Sequence, residues 1–270
     1  MKKLSVGISD FRELIEGGYI YVDKTKYIYN LINNGKYYFL SRPRRFGKSL
    51  LLSTIRYLFE AKKELFKGLY IYNKWNWKES YPVIRIDFSE AQVENEKDLQ
   101  KELKAIIIEA GKNCNYKYNK EYTITRNFSL LIKKFYEQTK KKIILLVDEY
   151  DKVILDNINK NKEVEKIRKL LKNFYEVLKG LDEYIKFVLI TGVSKFAKVS
   201  LFSGLNQLED ISLNKEYGNI CGYTQEELEI YFKDYLKDLN LDEIKDWYNG
   251  YSFLGDRLYN PFDILLYLKN

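Results

Sequence analysis

Ser41-Arg42-Pro43-Arg44-Arg45-Phe46-Gly47-Lys48-Ser49 is the stretch that decides how this chain is read. It follows the apolar run Tyr37-Tyr38-Phe39-Leu40 and opens a segment of helical pattern that begins Leu50-Leu51-Leu52. A strand, a tight loop and a helix N-terminus gather backbone N–H groups and the positive end of the helix dipole in one concavity, which suits a polyphosphate. Gly47-Lys48-Ser49 ends the phosphate-loop (Walker A) pattern G-x-x-x-x-G-K-[ST], in which Lys48 reaches the β- and γ-phosphates and Ser49 offers its hydroxyl to magnesium. The first glycine of that pattern falls at Arg42, and Pro43 follows it. On the residues alone, a basic surface turn capping a helix therefore stays open as the alternative.

The choice of cation favours phosphate. The chain uses 37 Lys but 9 Arg, and Arg42, Arg44 and Arg45 are three of those nine. A planar guanidinium makes paired hydrogen bonds to phosphate oxygens that an ammonium cannot. The expected nucleotide contacts are Arg42, Pro43, Arg44, Arg45, Phe46, Gly47, Lys48, Ser49 and Leu50.

With 270 residues and 46% hydrophobic content the chain can bury a full core, in one sizeable domain plus a smaller appendage. The net charge of +8 is compatible with an acidic ligand or nucleic acid, but the lysines are spread along the chain, as on a solvated surface. There is no histidine, which excludes Ser-His-Asp and Cys-His catalysis and histidine metal sites. Cys114 and Cys221 form no C-x-x-C pair, and no secretory signal opens the chain, so a reducing cytoplasm is expected. No run approaches the roughly 20 apolar residues of a membrane helix, and no membrane partner is expected.

Apolar runs of strand length occur at residues 37–40, 82–88, 143–147, 187–190 and, less sharply, 208–213. Several are near-continuous, the mark of parallel strands covered on both faces, while Val83-Ile84-Arg85-Ile86-Asp87 alternates as an edge strand does. Segments of helical period lie between them: Leu99, Leu103, Ile106 and Ile107 share a face, as do Val164, Ile167, Leu171 and Phe174. The alternation predicts a doubly wound α/β sheet with right-handed crossovers. Beyond Asn214 only helices are expected, the first opened by the capping box Thr224-Gln225-Glu226-Glu227 and running to about residue 236. The expected domains are an N-terminal segment at 1–35, a core at 36–213 and a helical lid or subdomain at 214–270.

Lys140-Lys141-Lys142 leads into Ile143-Ile144-Leu145-Leu146-Val147 and then Asp148-Glu149-Tyr150-Asp151. An apolar strand ending in Asp-Glu (Walker B) is what a magnesium-dependent NTPase requires, with the carboxylates emerging at the C-terminal sheet edge. Asp148 is the expected magnesium ligand, and Glu149 the group that orients and deprotonates the attacking water. A solvated acidic turn is the alternative. Thr191-Gly192-Val193-Ser194 ends a further strand, so Thr191 and Ser194 are candidates to contact the γ-phosphate or the water, or else to satisfy local backbone. The strand at 82–88 stands between the loop strand and the Asp-Glu strand in sequence, which favours ATP hydrolysis over a GTPase-style switch.

Together, Phe11, Tyr21-Val22-Asp23-Lys24-Thr25, Arg42 to Ser49, Asp87-Phe88-Ser89, Asp148-Glu149-Tyr150-Asp151, Thr191-Gly192-Val193-Ser194-Lys195 and Tyr259-Asn260-Pro261-Phe262 closely resemble the bacterial AAA-ATPase-like family. The resemblance runs along nearly the whole chain, and Arg-Pro-Arg-Arg-Phe-Gly-Lys-Ser is its fingerprint, with arginine in the place of the first glycine as a rule. It implies a three-layer P-loop NTPase fold with a five-stranded, mainly parallel sheet of the AAA type, and the cofactors ATP and magnesium. It also implies that residues 21–25 lie where related ATPases seat the adenine, so Asp23 and Lys24 are candidates for base or ribose; a helix cap at Asp23 is the alternative. Proteins similar to this one commonly continue into a domain like PD-(D/E)xK nucleases. The chain ends at Asn270 without such a carboxylate and lysine cluster, so no nuclease activity is carried over; a shortened member and a piece of a longer protein both stay open.

The expected function is magnesium-dependent ATP hydrolysis, with Glu149 and Lys48 catalytic and Arg44 or Arg45 stabilising charge on the transferring phosphoryl group. The alternative is a nucleotide-gated module for a protein or nucleic-acid partner with negligible hydrolysis. Oligomeric state stays open; Arg126 and Arg257 are candidates for an arginine supplied to a neighbouring subunit.

Overall fold

The computed structural model describes residues 2–195 and 198–270, without the side chains of residues 199 and 200. In chain order the first elements are α1 (Phe11–Glu16), α2 (Thr25–Asn34), β1 (Tyr37–Ser41), α3 (Lys48–Phe59) and β2 (Val83–Asp87). There follow α4 (Glu96–Lys112), α5 (Ile124–Thr139), β3 (Ile143–Asp148), α6 (Lys152–Leu155), α7 (Asn161–Glu176) and β4 (Ile185–Gly192). The last are α8 (Lys198–Phe202), β5 (Glu209–Asp210), α9 (Gln225–Tyr231), α10 (Leu241–Tyr248), β6 (Tyr251–Ser252), β7 (Arg257–Leu258) and α11 (Pro261–Lys269).

The chain groups into two compact units, each discontinuous in sequence. One is Lys36–Ser41 with Tyr81–Glu209; the other is Met1–Gly35, Arg42–Ser80 and Asp210–Asn270. This is a different cut from the contiguous segments 1–35, 36–213 and 214–270, because the peptide bond after Ser41 hands the chain from one unit to the other.

The first unit carries the sheet, in the order β2-β3-β4-β1-β5. The pairings of β2 with β3, β3 with β4 and β1 with β4 are all parallel. The register brings Phe39, Ile190, Val147 and Ile86 side by side. These residues share a core with Leu99, Leu103 and Ile107 of α4, Phe128, Leu131 and Ile132 of α5, and Val164, Ile167 and Leu171 of α7. Tyr38, Leu40, Ile144, Leu146 and Leu189, on the alternate face, are also buried, so both faces of the sheet are covered, as near-continuous apolar runs require. The alternating β2 lies at the edge, as its pattern predicts. The strand that separates β1 from β3 in space is β4, and not the strand that separates them in sequence. Asn95 and Thr123 cap α4 and α5 by accepting from Asp98 N and Arg126 N.

The fifth strand is shorter than the run at 208–213 predicts: it spans Glu209–Asp210, and Leu213 is 56% exposed. In the second unit both halves of the capping box at Thr224 and Glu227 form, yet α9 ends at Tyr231, short of residue 236. The tail is not helical throughout: β6 and β7 pair antiparallel, Tyr251 opposite Leu258. Strands of two residues have no period to be read from sequence.

Candidate functional site

The phosphate loop, Arg42 to Gly47, lies in the second unit and runs into α3. Gly47 is the N-cap of α3 at φ +93°. A Cβ there would meet nothing within 4 Å, so the backbone angle, and not crowding, requires glycine. Among the described residues no side chain caps this end of α3, which is the condition under which a helix N-terminus takes an anion. Ser49 is half-buried in the first turn of α3, while Arg44 and Arg45 are exposed. Arg45 holds a left-handed φ of +63°, and its guanidinium lies 4.0 Å from the centre of the Phe262 ring. Phe46 is fully buried against Tyr251 and Phe253, which anchors the loop at its centre.

Lys48 is 5% exposed, and its Nζ donates to the carbonyls of Arg42 and Pro43, each at 2.9 Å. Arg42 turns away from the loop's concavity. Its guanidinium donates to the carbonyls of Ser212 at 2.9 Å, Tyr217 at 3.1 Å and Gly218 at 3.2 Å, and lies 3.9 Å from the centre of the Phe253 ring. Burial pulls its pKa down, without removing the charge. Arginine at the position of the first glycine thus ties the loop to residues 212–218, a role that loop spacing alone does not disclose.

Asp23 spends its carboxylate locally. Oδ1 accepts from Thr25 N at 2.8 Å and Thr25 Oγ1 at 2.6 Å, and Oδ2 accepts from Tyr70 N at 2.7 Å. Lys24 is buried, and its Nζ donates to both oxygens of Glu227 at 2.6 Å and to Asn219 O at 2.9 Å. Beside the start of α3, a pocket is lined by Tyr21, Val22, Phe46, Leu50, Cys221 and Tyr223. Cys221 and Tyr223 lie far along the chain from the other four, so sequence reasoning missed them; no local motif marks them.

The acidic residues lie in the sheet unit. β3 is buried along its length and delivers Asp148, 1% exposed, to its C-terminal end. Asp148 Oδ1 accepts from Thr191 Oγ1 at 2.8 Å and from Glu149 N at 3.1 Å. Oδ2 is buried and takes no hydrogen bond among the described residues; Arg85 Nη2 stands 4.0 Å away. Glu149, half-buried, holds φ +51°, a left-handed conformation that an L-residue enters at a cost of about 1 kcal/mol.

Asp151, also missed as a site residue, holds the end of β4 in place. Its buried carboxylate accepts from Val193 N at 3.2 Å and Ser194 N at 2.7 Å. Tyr150 donates to Ser194 O at 2.7 Å. Gly192 is required by close approach: a Cβ there would fall 2.4 Å from the Tyr150 ring and 2.7 Å from Asp151 Oδ1. The fourth residue of Asp-Glu-Tyr-Asp and the small residues at 191–194 were both legible; that they bond to each other was not. Arg126 lies in the first turn of α5 and Arg257 on β7, both exposed.

Magnesium is the metal these residues fit. Asp148 Oδ2 is a hard carboxylate oxygen, buried and without a hydrogen bond among the described residues. Among the described residues no three acidic or Cys side chains gather into a metal-sized cluster, and an ion held by one carboxylate and substrate phosphates needs none. No helix among the described residues is long and apolar enough to cross a membrane.

The model of the AAA-ATPase-like family, described as Predicted AAA-ATPase, matches residues 5–202. An uncharacterized protein in the vnfD 5′ region of Azotobacter chroococcum mcd 1 is 43% identical over 270 residues, covering 98% of this chain and 51% of that protein. The chain thus spans about half the length of the curated relative it matches. Cdc6p from Pyrobaculum aerophilum aligns in structure over 83% of this chain and 47% of its own, at 13% identity and a TM-score of 0.38.

Proposed function

The chain belongs to the AAA-ATPase-like family, and we propose that it binds ATP with magnesium and hydrolyses it, using nucleotide state to govern a partner. The observation that carries this reading is Asp148 Oδ2, an anionic oxygen buried at the C-terminal end of a parallel strand with no hydrogen-bond partner among the described residues. With Arg85 Nη2 no nearer than 4.0 Å, that oxygen is under-satisfied in the protein alone, and a bound cation completes it.

Lys48 leaves the carbonyls of Arg42 and Pro43 and donates instead to phosphate oxygens. The N–H groups at the start of α3 and the exposed Arg44 and Arg45 add positive charge to the phosphate chain. Ser49 and Asp148 hold magnesium, which when bound supplies charge that neutralises phosphate oxygens. Glu149 orients the attacking water and accepts its proton as the bond from γ-phosphorus to the bridging oxygen breaks. Thr191 donates to Asp148 and fixes which oxygen stays available. Ser194, held by Asp151 and Tyr150, stands at the same end of the sheet, where its hydroxyl contacts the γ-phosphate or the water. The pocket lined by Tyr21, Val22, Leu50 and Tyr223 seats the base, and Asp23 acts through α2 by positioning Thr25 and Tyr70.

The test is phosphate release and ATP binding, measured on the parent, Lys48→Ala and Glu149→Gln. Loss of binding in the first, and retained binding with turnover at least 100-fold down in the second, is the expected result. Equal turnover in Glu149→Gln and the parent removes the hydrolytic mechanism. Stable ATP binding without product, with or without DNA, identifies a nucleotide-gated binding module instead.

A further inference from the structure

We propose that the groove between α4, α7 and residues 118–125 binds single-stranded nucleic acid. The groove encloses about 900 Å³ and is built wholly within the sheet unit. One wall is a lysine stripe: Lys97, Lys101 and Lys104 line it at spacings of four and three on α4. That spacing sets them on one face, away from Leu99, Leu103 and Ile107, which are fully buried. The floor and far wall carry Tyr118 and Tyr122, with Glu176 the one acidic residue that lines the groove. Tyr122 is 46% exposed, and the Lys104 Nζ lies 5.4 Å from the centre of the Tyr118 ring.

Lys101 is paired with Asp98 at 3.1 Å and Lys172 stands 3.7 Å from Glu176, so the positive charge that favours a polyanion comes chiefly from Lys97 and Lys104, with Lys101 shared between Asp98 and the groove. The tyrosines decide which polyanion. A row of ammonium groups beside the exposed Tyr122 ring and the half-buried Tyr118 ring provides both contacts that single strands use, phosphate neutralisation and stacking of unpaired bases, whereas an acidic peptide has no planar group for the rings. A duplex keeps its bases stacked on one another and offers the rings nothing. The general abundance of lysine hides this stripe in sequence, and folding sets Tyr118 and Tyr122 beside it.

The test is fluorescence anisotropy of the full chain with a labelled oligothymidylate of about 20 nucleotides, from about 50 to 200 mM salt. Binding by the parent is expected to weaken with salt at a log–log slope near −2, from about 0.7 per lysine contact. Lys97→Glu/Lys101→Glu/Lys104→Glu is expected to weaken it more than roughly 30-fold, and the corresponding triple alanine variant by roughly 10-fold. The charge-matched control Lys140→Glu/Lys141→Glu/Lys142→Glu, at the start of β3, is expected to stay within about threefold. Tyr122→Ala is expected to cost roughly fivefold or more while Tyr122→Phe retains affinity, since stacking needs only the ring. Thermal melts confirm that each variant is folded.

No binding by the parent, equal losses in the two charge-reversal triples, equal affinity for a duplex, or equal competition by polyglutamate each overturns the proposal. None of these residues belongs to the nucleotide machinery, so phosphate release without DNA is expected to be unchanged in every groove variant. A failure of the groove is thereby told apart from a failure of the ATPase reading.

Discussion

Lys48 donates to the main-chain carbonyl of Arg42 at 2.9 Å, while the Arg42 side chain reaches to the carbonyls of Ser212, Tyr217 and Gly218. One residue therefore gives the phosphate loop both a resting partner for its lysine and an anchor some 170 residues along the chain. A glycine at position 42 would supply the first and not the second. Any ligand that draws Lys48 away acts on a segment whose other end is fixed at residues 212–218, which links the loop to the part of the chain that carries the C-terminal helices.

Arg42→Gly, which restores the common loop pattern, is expected to destabilise the protein by about 3 kcal/mol or more. It removes three charge-assisted hydrogen bonds to buried carbonyls. Arg42→Lys should recover only part of the loss, because an ammonium lacks the planar fork that serves three carbonyls at once. Urea unfolding with unchanged m-values is the measurement; equal stability of all three proteins would show that the anchor carries no weight.

Glu149 sits at φ +51°, where a β-branched residue fits poorly. Glu149→Val is expected to cost more than about 1 kcal/mol, whereas Glu149→Gly should lie within about 1 kcal/mol of the parent, relief of strain offsetting added chain entropy. Both variants should lose turnover. A strained backbone at the residue proposed to handle the proton is the arrangement in which function, and not stability, sets the side chain, and denaturation curves beside phosphate release separate the two.

The Lys24–Glu227 pair, 10% and 18% exposed in its side chains, joins residues 203 apart. Breaking it from one side is expected to be costly, about 3–5 kcal/mol, since the other charge stays buried. Glu227 Oε2 also accepts from Thr224 N in the capping box. Lys24→Met combined with Glu227→Gln, which keeps that cap, should therefore be more stable than Lys24→Met alone. A double-mutant cycle measures the coupling, and simple additivity would deny it.

Asp10 caps α1 and accepts from Ser53 Oγ and Tyr57 OH, both on α3, at 3.1 Å. Burial pushes its carboxyl up, but the hydrogen bonds from Glu13 N, Tyr57 and Ser53 outweigh it and hold the pKa below the usual 3.8. The fold therefore favours the anion: its contribution is complete above that value and is lost as pH falls through the lowered pKa. Asp10→Asn should lower the urea midpoint near neutral pH, and the gap from the parent should close progressively below about pH 4. A gap that is constant with pH would assign the effect to shape and not to charge.

Much of the sheet was legible because each strand declares itself locally. Ile143 to Val147 is apolar throughout and Val83 to Asp87 alternates, and these two patterns separate an inner strand from an edge strand without knowledge of partners. The loop and Asp148-Glu149 were legible for the same reason, as short motifs at the ends of such strands. The hairpin of β6 and β7 and the brevity of β5 were not, because two residues carry no period. Nor were Asp151 on Ser194, or Arg42 on Ser212, since the partners meet only after folding.

The sequence by itself determined the covalent order of this protein: apolar strand, phosphate loop and helix, then a strand ending in two carboxylates, together with the absence of histidine that excludes other chemistries. Only the tertiary structure decided what each polar group does. Arg42 faces carbonyls, Asp148 Oδ2 is buried without a hydrogen bond among the described residues, and three lysines of one helix come to stand beside two tyrosines. The physical reason is that periodicity and loop chemistry act over a few residues, whereas burial and hydrogen-bond partnership depend on groups brought together from farther along the chain, 43 residues for Asp148 and Thr191 and 170 for Arg42 and Ser212.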